Sequence, residues 1–347
     1  MVIGCMLGLG PLFIARIGTS VSGRDTWIAF LICGALILLN VLIVLKLIRR
    51  FPNQSLIQYM PIILGKWIGK IMGLIIILLG LFTIGVTFKI IGYIFNTYIL
   101  MNTPPEALVF MLLLISIYTV SLDLRVLGRV TTILFLVSMF FSYFYFPPMT
   151  DYANVLRLFP VLETGWFVLL KGILAMLFSF TGAELILTFA PYVQDKEKIR
   201  FHMLWSIGFV VFLFFVAIVS QQLVYPLEYL KHLWAPSIHY ISLVGVPVLE
   251  RTDAIFTIFW FTVLYKTITV YKYHTIISIQ HQFGVKSKIV VILLVATLAY
   301  ILFLIPQNVF EMEKWMISIL TANVSIYMVL PSILLLLAIW RKKGESQ

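Results

Sequence analysis

Apolar and polar positions alternate along the chain on the scale of whole helices. Short connections that carry most of the charged residues separate ten apolar segments, which span residues 2–15, 27–48, 71–100, 107–122, 130–146, 166–193, 201–224, 253–283, 289–305 and 316–340. A helix needs about 20 apolar residues to cross a bilayer. The pattern therefore predicts an all-α polytopic membrane protein with ten transmembrane helices.

The sixth segment, residues 166–193, is interrupted near its middle. Gly182 weakens the helix there, and the hydroxyls of Ser179 and Thr181 can bond backbone groups that a break frees. Glu184 follows directly, and an ionisable group at that depth costs roughly 2.5–3.5 kcal/mol on insertion scales. We interpret the interruption as a discontinuous helix that lines a binding cavity. The alternative is a kinked helix whose acid pairs with a lysine of a neighbouring helix.

The first segment, residues 2–15, is short for a membrane span and rich in glycine. It contains Gly4, Gly8 and Gly10, followed by Pro11. Either this helix is also broken or the sequence begins downstream of its natural start, and the two alternatives are compatible. The spacing of Gly4 and Gly8 is equally typical of a helix-packing face.

Weak points in the first and sixth of ten helices divide the chain into five plus five. This is the LeuT-like pattern of inverted-repeat transporters, in which corresponding broken helices form the binding site. We expect one membrane domain over residues 1–347, with repeats at about 2–146 and 166–340. Because half-helix N-termini suit a carboxylate and exposed carbonyls suit an ammonium, the geometry favours an amino acid as ligand.

Composition and charge agree with a membrane protein. Hydrophobic residues make up 62% of the chain and charged residues 11%, against about 25% charged residues in soluble domains. The net charge of +11 would suggest nucleic acid in a soluble chain. Here the basic residues concentrate in the connections after even-numbered segments and in the tail. The positive-inside rule then places both termini in the cytoplasm, and no nucleic-acid partner is predicted.

Catalytic and metal-binding signals are absent from the sequence. Cys5 and Cys33 lie in apolar segments, so neither a disulfide framework nor a metal site is predicted. No nucleotide-binding, zinc or nucleophile motif occurs, and we expect neither an enzyme nor a cofactor.

Ionisable side chains inside the segments are further candidates for function. Lys171 is close enough to the end of its segment to reach the surface, whereas Lys266 lies deep in the eighth segment. Lys89 is intermediate, in the outer half of the third. We expect Glu184 to pair with Lys266 or Lys89, because either charge buried alone is costly.

The predicted ligand site combines the two interrupted segments with a polar stripe on the eighth. Thr257 and Trp260 follow Asp253 at helical spacing, although such a stripe is more often packing than a pocket. The predicted ligand-binding residues are Gly4, Gly8, Gly10, Ser179, Phe180, Thr181, Gly182, Glu184, Thr257 and Trp260, with Lys89 and Lys266 for charge pairing.

Short motifs throughout the chain match those of one family. They are Ile3-Gly4 through Gly8-x-Gly10, Arg50-Phe51-Pro52, the run from Ile63 to Lys70 (ILGKWIGK), Phe178 to Glu184, Glu250-Arg251-x-Asp253-Ala254 and Pro306-Gln307-Asn308. Over essentially its whole length the chain resembles the spore germination receptor B subunits. These form the spore permease family within the amino acid–polyamine–organocation superfamily.

The resemblance implies a nutrient-sensing subunit, multi-pass in the inner membrane of a bacterial endospore and surrounded by membrane lipid. Such subunits work with an A-type membrane subunit and a C-type lipoprotein subunit, and binding of an amino acid-type nutrient triggers ion release and germination. In this superfamily's fold the first and eighth helices form a sodium site, whose place the Lys266 ammonium would take; the alternative is that Lys266 pairs with an acid elsewhere. The alternatives are a proton-coupled amino acid permease with Glu184 as proton carrier, and a scaffold without ligand.

Overall fold

The computed structural model describes residues 2–142, 145, 147–243 and 252–344. Within these residues the chain forms helices and turns and no strand. The α-helices are α1 Val2–Met6, α2 Gly10–Ser22, α3 Thr26–Arg50, α4 Leu56–Leu64, α5 Lys66–Tyr98, α6 Pro105–Ser121, α7 Leu124–Ser142, α8 Pro147–Tyr152, α9 Gly165–Met176, α10 Ile186–Phe189, α11 Ile199–Val224, α12 Leu227–His232, α13 Pro236–Ser242, α14 Thr252–Phe283, α15 Lys288–Leu304 and α16 Val309–Trp340.

Five helical stretches of the described residues are long and apolar enough to cross a membrane: Gly10–Arg50, Lys66–Tyr98, Ile199–Val224, Ala254–Phe283 and Val309–Trp340. A bent pair, Gly165–Phe180 with Ala183–Tyr192, makes a sixth if it counts as one span, and it turns by 52°. Helices α6 and α15 are apolar but shorter. The all-helical, membrane-type fold is confirmed, while the count of ten spans and the inverted repeat stay predictions.

The first two predicted segments are joined differently from what hydropathy suggests. Helix α1 ends at Met6, α2 begins at Gly10, and one 3-10 turn, Gly23–Asp25, connects α2 to α3. The polar residues between the two segments are therefore mostly helical. One reason is that Arg16, on α2, has an internal partner, since its Nη2 donates to Glu313 Oε1 at 2.6 Å.

Helix α4 is a short element between α3 and α5, and a capping box begins it. The Ser55 backbone N–H donates to Gln58 Oε1 at 2.9 Å. The Ser55 hydroxyl also lies 2.9 Å from Nδ1 of His281, close to the end of α14. The start of α4 is thus tied to the last turn of α14.

Helix α14 packs along α5 in the bundle, and most of its apolar stretch is buried. A Cβ on Gly80 of α5 would lie 2.5 Å from Thr275 Oγ1 of α14, so a glycine lets the two helices approach closely. Helix α1 contacts α14 and the 3-10 turn Ala183–Leu185 of the sixth segment. Both interrupted segments therefore lie against the same long helix.

Candidate ligand-binding site

The break in the sixth segment is built around a glycine in the left-handed conformation. After α9, one 3-10 turn covers Leu177–Phe180 and a second covers Ala183–Leu185. Gly182 between them has φ = +116°, and a Cβ on it would lie 2.9 Å from the carbonyl carbon of Cys5 and from the nitrogen of Met6. Glycine is therefore required both by the backbone conformation and by contact with the first segment.

Glu184 supports this break from within. Its Oε2 accepts the backbone N–H of Gly182 at 2.7 Å, and its Oε1 accepts the hydroxyl of Tyr271 on α14. The Thr181 hydroxyl donates to the carbonyl of Phe178 at 2.6 Å. Glu184 is only 6% exposed, and both of its oxygens have partners. Its carboxyl group therefore stabilises the break and ties it to α14.

Glu184 has these hydrogen bonds in place of the expected lysine. Among the described residues no ion pair within 4.0 Å joins it to Lys266 or to Lys89. The Lys89 ammonium lies 5.1 Å from the centre of the Phe303 ring. Lys266 is fully buried, and its ammonium lies 5.7 Å from the centre of the Phe135 ring. The expected pairing is corrected accordingly: Gly182 and Tyr271 already bind the carboxyl group.

Two glycines of the first segment lie where it meets α14. A Cβ on Gly4 would come to 2.6 Å from Lys266 Nζ, and one on Gly8 would come to 2.9 Å from Thr267 Oγ1. The Gly8 N–H donates to the carbonyl of Cys5 at 3.1 Å, which closes the turn between α1 and α2. The two glycines thus let the first segment pack closely against α14, with Lys266 beside Gly4 of α1 and Thr267 beside Gly8 in the break.

The beginning of α2 meets the sixth segment. A Cβ on Gly10 would lie 3.0 Å from the Phe214 ring and 3.2 Å from the carbonyl oxygen of Ser179. The Ser179 hydroxyl is buried without a hydrogen-bond partner among the described residues. The Phe180 ring instead stacks on Phe30, with centroids 5.6 Å apart and an interplanar angle of 7°. Ser179 therefore keeps an unused polar group, while Phe180 serves the aromatic packing.

The space around these residues is small. Glu184 and Tyr327 border a cavity of about 20 Å³, and Thr257 and Trp260 border a second of about 10 Å³ together with Leu12 of α2. Each has room for about one water molecule. Pockets that hold small ligands usually measure about 300–1,000 Å³. A small-molecule ligand would therefore fit at these cavities only if the interrupted segments and α14 moved apart.

Two ionisable residues of α14 were missed by sequence reasoning. Lys272 Nζ donates to Ser116 Oγ of α6 at 2.6 Å, and Nδ1 of His274 lies 2.8 Å from Thr188 Oγ1 of α10. Both residues are buried. Lys266 was singled out because it is an ionisable residue within an apolar segment, and the same criterion would have selected Lys272 and His274. Among the residues that the structure describes, no three His, Cys, Asp or Glu side chains gather as metal ligands.

Tyr271 and Thr267 also contact the breaks, and no sequence signal distinguishes them. Tyrosine and threonine are common in apolar helices, and each resembles an ordinary packing residue. Only the hydrogen bond to Glu184 reveals Tyr271, and only the contact with Gly8 reveals Thr267.

Comparison with known proteins supplies the family. Residues 1–312 match the family described as spore germination protein. The chain belongs to the spore germination protein family. It is 24% identical to spore germination protein YndE of Bacillus subtilis (strain 168), over 100% of this chain and 96% of the relative. Spore germination protein B2 of the same organism is 23% identical over 75% of this chain and 71% of its own length. Spore germination protein GerQB of Bacillus cereus is 22% identical over 87% and 84%.

In this spore germination protein the motifs that indicate the family lie mainly at helix ends and breaks. Arg50 ends α3, and residues 178–184 form the break of the sixth segment. Asn308 caps α16, because its Oδ1 accepts the backbone N–H of Glu311 at 2.9 Å. Residues 250–251 of another motif lie outside the described residues. The matching positions thus cluster where helices begin, end or are interrupted.

Proposed function

We propose that this protein is the B-type, nutrient-sensing subunit of a spore germination receptor, and that it binds an amino acid-type nutrient where the two interrupted segments meet α14. One observation carries the proposal: Gly182 of the sixth segment touches Cys5 of the first, with Glu184 and Lys266 buried beside them. Half-helix ends with one charge of each sign suit the two ends of a zwitterion. Family membership supports the biological setting.

The proposal includes a ten-helix inverted repeat that forms one membrane domain with both termini in the cytoplasm. In the spore inner membrane the subunit would work with an A-type membrane subunit and a C-type lipoprotein. The two breaks support this arrangement, because they fall at corresponding places in the two proposed halves.

Helix α14 offers a route by which binding is sensed elsewhere. It continues without a break from Lys266 to His281, about 22 Å at 1.5 Å per residue. At that end His281 contacts Ser55, which begins α4. A nutrient that binds better when α14 is displaced shifts the population toward that state. Partner subunits would then detect the new position of α4.

Thermal unfolding of the purified chain with separate amino acid, sugar and nucleoside mixtures tests the proposal. A ligand at a hundred times its Kd stabilises the folded state by about 2.7 kcal/mol. We expect the melting temperature to rise with a nutrient in the wild type and in Lys171→Met, whose lysine is exposed. Glu184→Leu should lose the rise. No rise with any mixture would contradict nutrient binding and leave the scaffold alternative.

Transport is the second candidate, since Glu184 is a buried acid bonded to Tyr271 at a break. Proteoliposomes that contain this chain alone separate the two functions. Accumulation of labelled amino acid driven by a proton gradient, and lost in Glu184→Gln, would favour the permease. We expect binding without accumulation.

A further inference from the structure

A wide cavity opens where α7 begins, apart from the small cavities beside Glu184 and Trp260. It measures about 1260 Å³ and is lined by the first three turns of α7, by Tyr192 and Gln194 at the end of the sixth segment, and by Tyr273 of α14. This volume exceeds that of an ordinary small-ligand pocket. No residue of the candidate nutrient site lines it, so the cavity needs an explanation of its own.

Two arginines of α7 make the cavity positive. Arg125 and Arg129 both line it, and side chains four residues apart lie on the same face of a helix. Both are exposed, and no ion pair joins either guanidinium group to an acid among the residues that the structure describes. Asp123 also lines the cavity, but it attracts the ammonium of Lys288, which lies 5.1 Å from the centre of the Tyr273 ring. The two guanidinium groups therefore keep an uncompensated positive charge.

The cavity continues into an apolar surface of α7. Ile133 lines the cavity and is 62% exposed, and Leu136, almost one turn further along the helix, is 63% exposed. Tyr192 is 48% exposed, and tyrosine is enriched where a membrane meets water. Along α7 the lining thus changes from two cations to exposed aliphatic side chains. A ligand that matches this order has an anionic group joined to an apolar chain.

We propose that this cavity binds an anionic phospholipid, with its phosphate between Arg125 and Arg129 and an acyl chain along Ile133 and Leu136. Guanidinium groups bind phosphate through paired N–H···O hydrogen bonds. Basic pockets between membrane helices on the cytoplasmic side suit lipid headgroups, and the positive-inside rule predicts that α7 begins on that side. The lipid site is separate from the proposed nutrient site and requires no nutrient.

Two other occupants would bring the same negative charge without the chain. A soluble phosphate ester and an acidic protein segment can both neutralise the arginines, but neither covers the aliphatic side chains beyond them. Removal of that apolar surface from water is favourable, so the combination of charge and exposed Ile133 and Leu136 favours the lipid. A lipid that contacts α7 and the end of the sixth segment also stabilises the folded protein, because it binds only when these elements are together.

Melting temperatures of the purified full chain, freed of lipid in a non-ionic detergent, test the proposal. The probes are phosphatidylglycerol, zwitterionic phosphatidylcholine with the same acyl chains, sn-glycerol 3-phosphate and a hexaglutamate peptide. The cavity variant combines Arg125→Gln with Arg129→Gln. The control variant combines Lys46→Gln with Arg49→Gln, which removes two exposed basic residues near the end of α3, on the side where α7 is predicted to begin.

We expect phosphatidylglycerol to raise the melting temperature of the wild type and of the control variant, and phosphatidylcholine to have little effect. Basic residues near an anionic lipid each contribute to binding, so the cavity variant should bind phosphatidylglycerol about thirtyfold more weakly, or by about 2 kcal/mol. The control variant should stay within about threefold of the wild type, because its charges lie outside the cavity.

Several results would overturn the proposal. Equal stabilisation by phosphatidylcholine, an equal loss in the control variant, or no response to phosphatidylglycerol would each exclude a specific anionic-lipid site. Equal stabilisation by sn-glycerol 3-phosphate would assign the cavity to a soluble phosphate ester, and stabilisation by hexaglutamate in place of the lipid would assign it to an acidic protein segment. Without lipid both variants should melt close to the wild type, since these side chains are exposed. A fall of several degrees in the cavity variant alone would show that the arginines have partners within the protein and would refute the assignment.

Discussion

The two breaks of this protein meet at one place but are stabilised in different ways. The sixth segment contains its own polar groups, and Glu184 and Thr181 bond backbone atoms of that same segment. The first segment has no polar side chain between Gly4 and Pro11 apart from the thiol of Cys5. Apart from the backbone hydrogen bond from Gly8 to Cys5, the side-chain support comes from other elements: the Ser237 hydroxyl donates to the carbonyl of Pro11, in the first turn of α2, at 2.6 Å.

The two segments therefore contribute different groups to the candidate site. The sixth segment contributes a turn that its own side chains stabilise, whereas the first contributes backbone that its glycines leave accessible to neighbouring residues. The charge next to that backbone comes from Lys266 on α14. A ligand would therefore bind to backbone of the first segment and to side chains of the other two, so the two breaks should respond differently to substitution.

The largest effect should come from the sixth break. Gly182→Ala forces a side chain into a φ of +116° and brings its Cβ to 2.9 Å from backbone atoms of Cys5 and Met6. Strain of about 1–3 kcal/mol adds to an overpacking cost of similar size, so we expect immunoblotted abundance to fall severalfold or more.

Gly208→Ala is the matched control, because a Cβ at that position of α11 has no heavy atom within 4 Å. It should accumulate at the wild-type level. Equal abundance of the two variants would mean that the first and sixth segments do not touch at Gly182.

The next effect concerns Glu184 and separates its hydrogen bonds from its charge. Glu184→Leu leaves the Tyr271 hydroxyl and the Gly182 N–H unpaired, at about 1–3 kcal/mol each, whereas Glu184→Gln keeps an acceptor. We expect the leucine variant to lose several degrees of melting temperature in detergent and the glutamine variant to lose less.

A double-mutant cycle with Lys266 checks that the two charges are independent. Since no ion pair joins them among the described residues, Lys266→Met should change stability by the same amount in the wild type and in the Glu184→Leu background. Restoration of Glu184→Leu by Lys266→Met would instead support a salt bridge.

The all-helical, membrane-type fold was predictable from hydropathy. An apolar run of this length satisfies its backbone polar groups within the same segment only as a helix. The break at Gly182 was predictable from a glycine close to an acid in such a run. The continuity of α2 with α3 was not predictable. The junction between them is held by a residue almost 200 positions away along the chain, because Gln222 Nε2 donates to the carbonyls of Gly23 and Arg24.

The contact between the two interrupted segments was predictable, whereas the residues of α14 beside them were predictable only in part. Glu184 and Lys266 attract notice because charges are rare in apolar segments. Their actual partners could not be inferred, because Tyr271 and Phe135 look like ordinary packing residues and the choice depends on three-dimensional geometry.

A smaller effect is expected at the first break. Gly4→Ala brings a Cβ against the flexible end of Lys266, whereas Gly8→Ala meets the carbonyl oxygen of Cys5 at 3.1 Å as well as Thr267. Side chains yield more easily than backbone, so Gly4→Ala should cost about 1 kcal/mol and Gly8→Ala more, up to about 3 kcal/mol. Melting temperatures of the two variants measure this order.

Shortening Lys266 tests whether its contact with position 4 is the reason for the cost of Gly4→Ala. In the Lys266→Ala background Gly4→Ala should become neutral or stabilising, since alanine favours helix over glycine by about 1 kcal/mol. Gly8→Ala should keep its cost there. The reverse order would show that the first segment packs against α14 through other contacts.

The smallest effect concerns sodium, for which we expect none. The family resemblance implies a cation site between the first segment and α14, and the Lys266 ammonium lies in that interface against Gly4. A sodium ion about 4 Å from an ammonium would be repelled by about 4 kcal/mol at an effective dielectric constant of about 20. Nutrient affinity should therefore differ by less than about tenfold, or about 1.4 kcal/mol, between sodium and choline buffers. Lys266→Met, which frees the space, is the informative comparison. If sodium strengthened binding by the wild type tenfold or more, the cation site would lie away from Lys266. The conclusion that α14 supplies the only positive charge between itself and the uncharged first segment would then be wrong for the described residues.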